Sequence, residues 1–113
     1  MNNQDISQVV IDEVCNYYRT TFDAINVKSR QWKLVEPRQF IYYFLRDMTD
    51  MTFSEIGMLF RQSHSNVICS IRTLDNLITV NGYYRRYASR RFMIQQKIGV
   101  DDLDKWINSI AQL

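Results

Sequence analysis

Residues that break helices or build tight turns are scarce in this sequence: one proline and three glycines among 113 residues. That scarcity argues against a sandwich or barrel of short strands, against a collagen-like repeat and against a flexible linker. Two cysteines and one histidine are too few for a disulfide framework or a closed zinc site. Cys15 and Cys69 fall at semi-buried positions of helical patterns, which reads as small core residues in a reducing compartment. A G-x-x-x-x-G-K-[ST] phosphate loop is absent. No apolar run approaches the roughly 20 residues of a membrane span. The opening MNNQDISQVV has neither the basic start nor the hydrophobic stretch of a secretion signal. The expectation is a cytoplasmic protein with no cofactor, metal, membrane partner or small-molecule substrate.

What is present points to helices. Hydrophobic residues make up 46% and aromatics 13% of the chain, enough for one ordered core. Apolar residues recur at helical spacing, so the fold class expected is all-α, with five to six helices in a single domain spanning residues 1–113. Asp5 or Ser7 could cap a first helix that turns Ile6, Val9, Val10, Val14, Tyr17 and Tyr18 inward. A short helical piece and the loop NVKSRQWKLVE follow, and Pro37 suits a first helical position, where its missing N–H has no partner. The next helix buries Phe40, Ile41, Phe44, Leu45 and Met48. Asn81-Gly82 signals a turn, after which Tyr84, Tyr87, Ala88 and Ile94 make a stripe. Gly99 reads as the end of that helix, and Asp101 or Asp102 as the cap of a last one carrying Leu103, Trp106, Ile107 and Ile110. That tail closes the core or packs on a second copy or another protein; closure is the favoured reading.

The net charge of +2 conceals an uneven distribution. Residues 1–27 carry one basic and four acidic side chains, whereas residues 28–98 carry twelve basic and five acidic ones. An excess of this kind is either an ordinary solvated surface or the footprint of a phosphate-binding one.

The stretch from Thr52 to Leu74 decides between them. Thr52 and Glu55 stand at capping-box spacing, and Phe53, Ile56, Leu59 and Phe60 form one apolar stripe. Gly57 inside that helix costs about 1 kcal/mol relative to alanine, which close packing would offset. Arg61-Gln62 interrupts the pattern, and Ser63 caps a second helix with Val67, Ile68, Ile71, Leu74 and Leu77 on its buried face. His64, Ser65 and Asn66 are left on the first turn with no core to serve. Two helices joined by a polar turn, the second opening on short hydrogen-bonding side chains, read as a helix-turn-helix.

On these residues the chain resembles the C-terminal DNA-binding domain of the bacterial replication initiator DnaA. Arg38-Gln39, Met48-Thr49, Glu55-Ile56-Gly57, His64-Ser65 and Val67-Ile68 match that family's pattern, and the resemblance covers roughly residues 5–80, with residues 83–113 as additional C-terminal helices. It implies a Trp-repressor-like helical fold and binding to double-stranded DNA. It also implies that Arg30, in the loop before Arg38, enters a minor groove beside the major-groove site. The initiator's ATPase domain does not fit in a chain of this length. The sequence departs from the pattern at Gln62, Ser63 and Asn66, and at Trp32 and Glu36, where the family commonly has arginines. A shifted base preference follows.

Phosphate contacts position a protein on DNA and base-edge contacts specify the sequence. The expected positioning residues are Lys28, Arg30, Lys33, Arg38, Arg61 and Arg72. The expected readers are Gln62, His64, Ser65 and Asn66, the last able to pair with adenine through two hydrogen bonds. Arg85, Arg86, Arg90 and Arg91 form a second basic cluster, read as a solvated face. His64 has no neighbouring ligand for a metal, and Ser63 and Ser65 have no acidic orienting group, so no enzyme is expected. The leading reading is a stand-alone initiator-like protein or transcription regulator, of the kind carried by a phage or mobile element. The rival is a protein–protein interaction module that kept the scaffold and lost DNA binding, with Trp32 and Trp106 as anchors.

Overall fold

Uninterrupted stretches with apolar residues every third or fourth position favour helices, and helices form throughout. The computed structural model describes residues 2–80 and 84–111, and in the last helix the side chains of residues 86–99. Among the described residues there are six helices and no strand: α1 (Asn3–Tyr18), α2 (Phe22–Ile25), α3 (Trp32–Met48), α4 (Phe53–Met58), α5 (His64–Thr79) and α6 (Tyr84–Ala111). One apolar cluster joins residues of all six, from Val9 and Val10 through Ile25, Phe40, Phe44, Ile56, Val67 and Leu74 to Ile94 and Ile98.

Asn2, not Asp5 or Ser7, caps α1: its side-chain oxygen accepts from the Asp5 amide at 2.9 Å. Apolar periodicity marks where a buried face begins, and the polar residues ahead of Ile6 extend the helix one turn further. Ser7 is buried, and its hydroxyl donates to the Asn3 carbonyl at 2.7 Å. Val9, Val10 and Val14 face the core as expected, while Tyr17 is partly exposed.

Helix α3 begins five residues before Pro37, so this proline is internal rather than first. Its missing N–H leaves the Lys33 carbonyl without its helical donor. The compensation lies at Glu36, only 4% exposed, which accepts from the Tyr18 hydroxyl at 2.6 Å and pairs with the Arg90 guanidinium. Burial first, then the bond to Glu36, push the Tyr18 hydroxyl pKa well up. Desolvation, the largest single influence, lowers the Arg90 pKa, but the Glu36 charge and the hydroxyls of Tyr18, Tyr17 and Tyr87 together outweigh it and the net direction is up. Arg90 therefore does not belong to the solvated cluster expected of it. Arg91 also turns inward and donates to the Tyr43 hydroxyl at 3.4 Å, whereas Arg86 is exposed.

Phe40, Ile41, Phe44 and Leu45 are buried and Met48 is half-buried. Tyr42 is buried as well; burial raises its pKa to about 12, against the opposing charge of Arg38. Helix α6 packs on α1 and α5 and buries Ile94 and Ile98. Gly99 does not end it: the helix continues to Ala111, and Asp101 and Asp102 lie inside it rather than at a cap. A single glycine costs a helix about 1 kcal/mol, too little to stop it without a turn that needs a left-handed residue there. The Asn81-Gly82 turn, and the side chains of Tyr84, Arg85, Leu103, Trp106, Ile107 and Ile110, lie outside the described residues. No helix among the described residues is long and apolar enough to cross a membrane.

Removing one partner of a buried ion pair strands the other. Glu36→Ala is expected to lower the unfolding free energy by about 3 kcal/mol in urea denaturation. The double variant Glu36→Leu with Arg90→Met should recover most of that loss, because no buried charge then lacks a partner. An equally unstable double variant would show that the loss does not come from the stranded Arg90 charge.

Candidate nucleic-acid interface

Helix α4 starts on the capping box its sequence suggested. The Thr52 hydroxyl accepts from the Glu55 amide at 3.1 Å, and the Thr52 amide donates to the Glu55 carboxylate at 3.1 Å. The backbone bond from Thr52, followed by the hydroxyl, holds Glu55 below the usual carboxylate range. The helix is short. Leu59 and Phe60 lie in the turn, where Phe60 is buried with its ring 5.0 Å from Phe22 and 5.6 Å from Tyr42.

The turn closes with paired backbone bonds: Gln62 donates to the Gly57 carbonyl at 2.8 Å and Arg61 to that of Met58 at 3.3 Å. This is a Schellman closure, and its left-handed position (φ 56°) is held by Arg61 where glycine is usual. A Cβ on Gly57 would fall on the Gln62 carbonyl oxygen and lie 3.2 Å from Val67 Cγ2. The glycine in the helix is thus required by the chain folding back over it.

Ser63 caps α5, its hydroxyl oxygen accepting from the Asn66 amide at 3.2 Å. The amides of His64 and Ser65 remain pointed out of the helix start, where an anion is favoured. Val67, Leu74 and Ile78 are buried; Ile68, Ile71 and Leu77 are half-buried. Ser65, Cys69, Arg72, Thr73 and Asn76 are exposed. Cys69 is therefore not a core residue as expected, whereas Cys15 is buried, and both are free thiols.

The loop between α2 and α3 is shorter than expected, because Trp32 to Glu36 are helical. Its backbone is held by arginines from two directions. Arg38 of α3 donates from Nη1 to the Val27 carbonyl at 2.8 Å and from Nη2 to the Ser29 carbonyl at 2.6 Å. Arg61 of the turn donates to the Asn26 carbonyl at 3.5 Å. The Gln31 amide adds a bond to the Ser29 hydroxyl at 3.2 Å. Lys28 and Arg30 are exposed on this loop.

Loop and helix start share one open groove of about 590 Å³, whose lining includes Lys28, Arg30, Arg38, Gln62, Asn66 and Ser70. Lys28 and Gln62 also line a smaller hollow with Arg61. Residues 34 positions apart in sequence are thus adjacent in space. Within the groove, the Asn66 amide nitrogen donates to the Gln62 side-chain oxygen, so these two side chains form a linked pair. His64, Ser65, Lys33 and Arg72 are exposed outside the groove lining. Arg38, expected to meet phosphate, is instead only 8% exposed, with two of its nitrogens already engaged. Ser29, Gln39 and Ser70 were not among the expected site residues, yet they line the groove. Ser70 lies one turn past Asn66 on the same helical face, a signal the spacing already carried.

A family model described as the bacterial DnaA protein helix-turn-helix matches residues 7–74. The DnaA 1 initiator of Chlamydia pneumoniae is 30% identical over 101 residues, which is 89% of this chain and 20% of that protein. The initiator of Mycoplasma genitalium is 30% identical over 70 residues, 62% of this chain and 16% of that protein. That of Deinococcus radiodurans is 37% identical over 62 residues, 55% of this chain and 13% of that protein. The chain thus spans a fifth or less of the length of these relatives. No solved structure matches.

Arg61 separates stability from contact. Arg61→Gly should stabilise the free protein by up to about 1 kcal/mol, because glycine adopts the left-handed conformation without a Cβ penalty, less what the exposed bond to the Asn26 carbonyl contributes. The same variant should bind duplex DNA severalfold more weakly, having lost a cation beside the loop. Thermal melting and a binding titration on one preparation check both directions.

Proposed function

Because the chain belongs to the helix-turn-helix family of bacterial DnaA proteins, we propose that it binds double-stranded DNA sequence-specifically and marks a replication origin or an operator. In this reading the start of α5 enters the major groove and the Asn26–Gln31 loop enters the adjoining minor groove. The observation that supports it is the shared groove, which sets Lys28 and Arg30 beside Gln62 and Asn66. A loop and a helix start held side by side can grip two neighbouring DNA grooves at once. Lys28, Arg30, Lys33, Arg61 and Arg72, all exposed, are the candidates for phosphate and minor-groove contact. Arginine suits a narrow A·T-rich minor groove, where negative potential is concentrated.

His64, Ser65 and the Gln62–Asn66 pair read bases. The bond between the two amides leaves the Gln62 amide nitrogen and the Asn66 oxygen available for base edges, so they act as one reader. A bidentate contact of this kind discriminates by about 1–3 kcal/mol. Glu36 does not oppose this function, since it is buried rather than presented to phosphate. The rival reading, a protein-interaction module on the same scaffold, draws on Trp32, which is 65% exposed at the start of α3.

Fluorescence anisotropy with a labelled random duplex at two salt concentrations is the first test. Five phosphate contacts predict that log K falls with log salt at a slope of about −4 to −5. Asn66→Ala and Gln62→Ala should each flatten the base preference in a site selection, and together add little to either alone. Cys69 supplies a footprint: maleimide should label it in the free protein and be blocked by saturating duplex, with Cys15 as the buried control. Absence of duplex binding at low salt would overturn the DNA reading. Trp32→Ala would then be the variant with which to probe a protein complex.

A further inference from the structure

The geometry points to Arg38 as a positioning residue that shapes the DNA-contacting loop from within, rather than as a phosphate contact. The inference rests on the DNA reading above and assigns that site an internal part. Arg38 stands in the second turn of α3, one residue after Pro37, and is 8% exposed. Its guanidinium fork spans two carbonyls, Val27 at 2.8 Å and Ser29 at 2.6 Å, on either side of Lys28. Both are neutral backbone acceptors, so no carboxylate is spent in fixing the backbone that carries Lys28 and Arg30 along the groove. A planar fork with fixed donors can hold two carbonyls two residues apart; an ammonium group is a single point and cannot hold both in the same geometry. Without that fork the six-residue loop between α2 and α3 keeps only the Arg61 bond to Asn26 and the Gln31 bond to Ser29, and more of its ordering falls on binding, at a cost in affinity.

This role makes the contribution of Arg30 conditional on Arg38. In anisotropy titrations, Arg38→Lys should weaken duplex binding by about tenfold, nearly as much as Arg38→Ala, although it retains the positive charge. Arg30→Ala should cost much less in the Arg38→Lys background than in the native one. The base preference read by Asn66 should survive in both. A global loss of stability would not erase the Arg30 dependence selectively.

The second measurement needs no variant. With side-chain arginine nitrogen-15 labelling, Arg38 should show hindered guanidinium rotation in the DNA-free protein, little changed by duplex. A guanidinium that rotates freely without DNA and orders only when duplex is added would overturn the proposal. So would an Arg38→Lys variant of native affinity with an undiminished Arg30 effect. If the native protein binds no duplex, this role and the DNA reading fall together. If it binds and Arg38→Lys behaves as native, only this role falls.

Discussion

Glu36 is the constraint around which the helices are arranged. A carboxylate 4% exposed must be paired, and its partners come from two other helices: the Tyr18 hydroxyl of α1 and the Arg90 guanidinium of α6. This fixes the first turns of α3 against the body of the protein, and those turns follow directly on the loop that bears Lys28 and Arg30. It also accounts for a helix that begins upstream of its proline. Arg90 lies beyond residues 7–74, which the family model matches, so the counter-charge comes from the C-terminal helix rather than from the helix-turn-helix region. The glutamate found where arginines are common in the family and the docking of α6 are two sides of one arrangement.

The second organising feature is the use of arginine in backbone positions that are more often served by glycine or left to solvent. Arg19 and Arg61 occupy the left-handed residues that close α1 and α4. Arg38 and Arg61 then hold loop carbonyls from opposite sides. Together with Gly57, which lets the turn fold back onto the Gln62 carbonyl, they bring the loop to the start of α5. The surface near the groove is basic partly because the same side chains that build it are cationic.

The helix-turn-helix was the most legible part of the chain, because its signals are local. Thr52 with Glu55, Ser63 with Asn66 and the apolar rows of α3 and α5 act within a few residues, where spacing alone determines which groups meet. Where competition between local and distant partners decides, spacing alone does not determine the outcome. Pro37 suits a helix start, yet α3 begins five residues earlier and places Glu36 where Tyr18 and Arg90 meet it. Gly99 had the composition of a terminus, but nothing in the fold turns the chain there.

By itself the sequence determined an all-helical chain with a helix-turn-helix, its caps and the face of α5 that is left polar, since each depends on periodicity or on neighbours within one turn. Only the tertiary structure decided which arginines are free. Arg38, Arg90 and Arg91 look like Arg30 and Arg86 in composition and local pattern. The first three are engaged by Val27, Ser29, Glu36 and Tyr43, each outside the arginine's own helix, because a guanidinium bonds to whichever carbonyl, carboxylate or hydroxyl the packing brings within reach. That choice depends on distances between residues far apart in the chain, which no local pattern encodes.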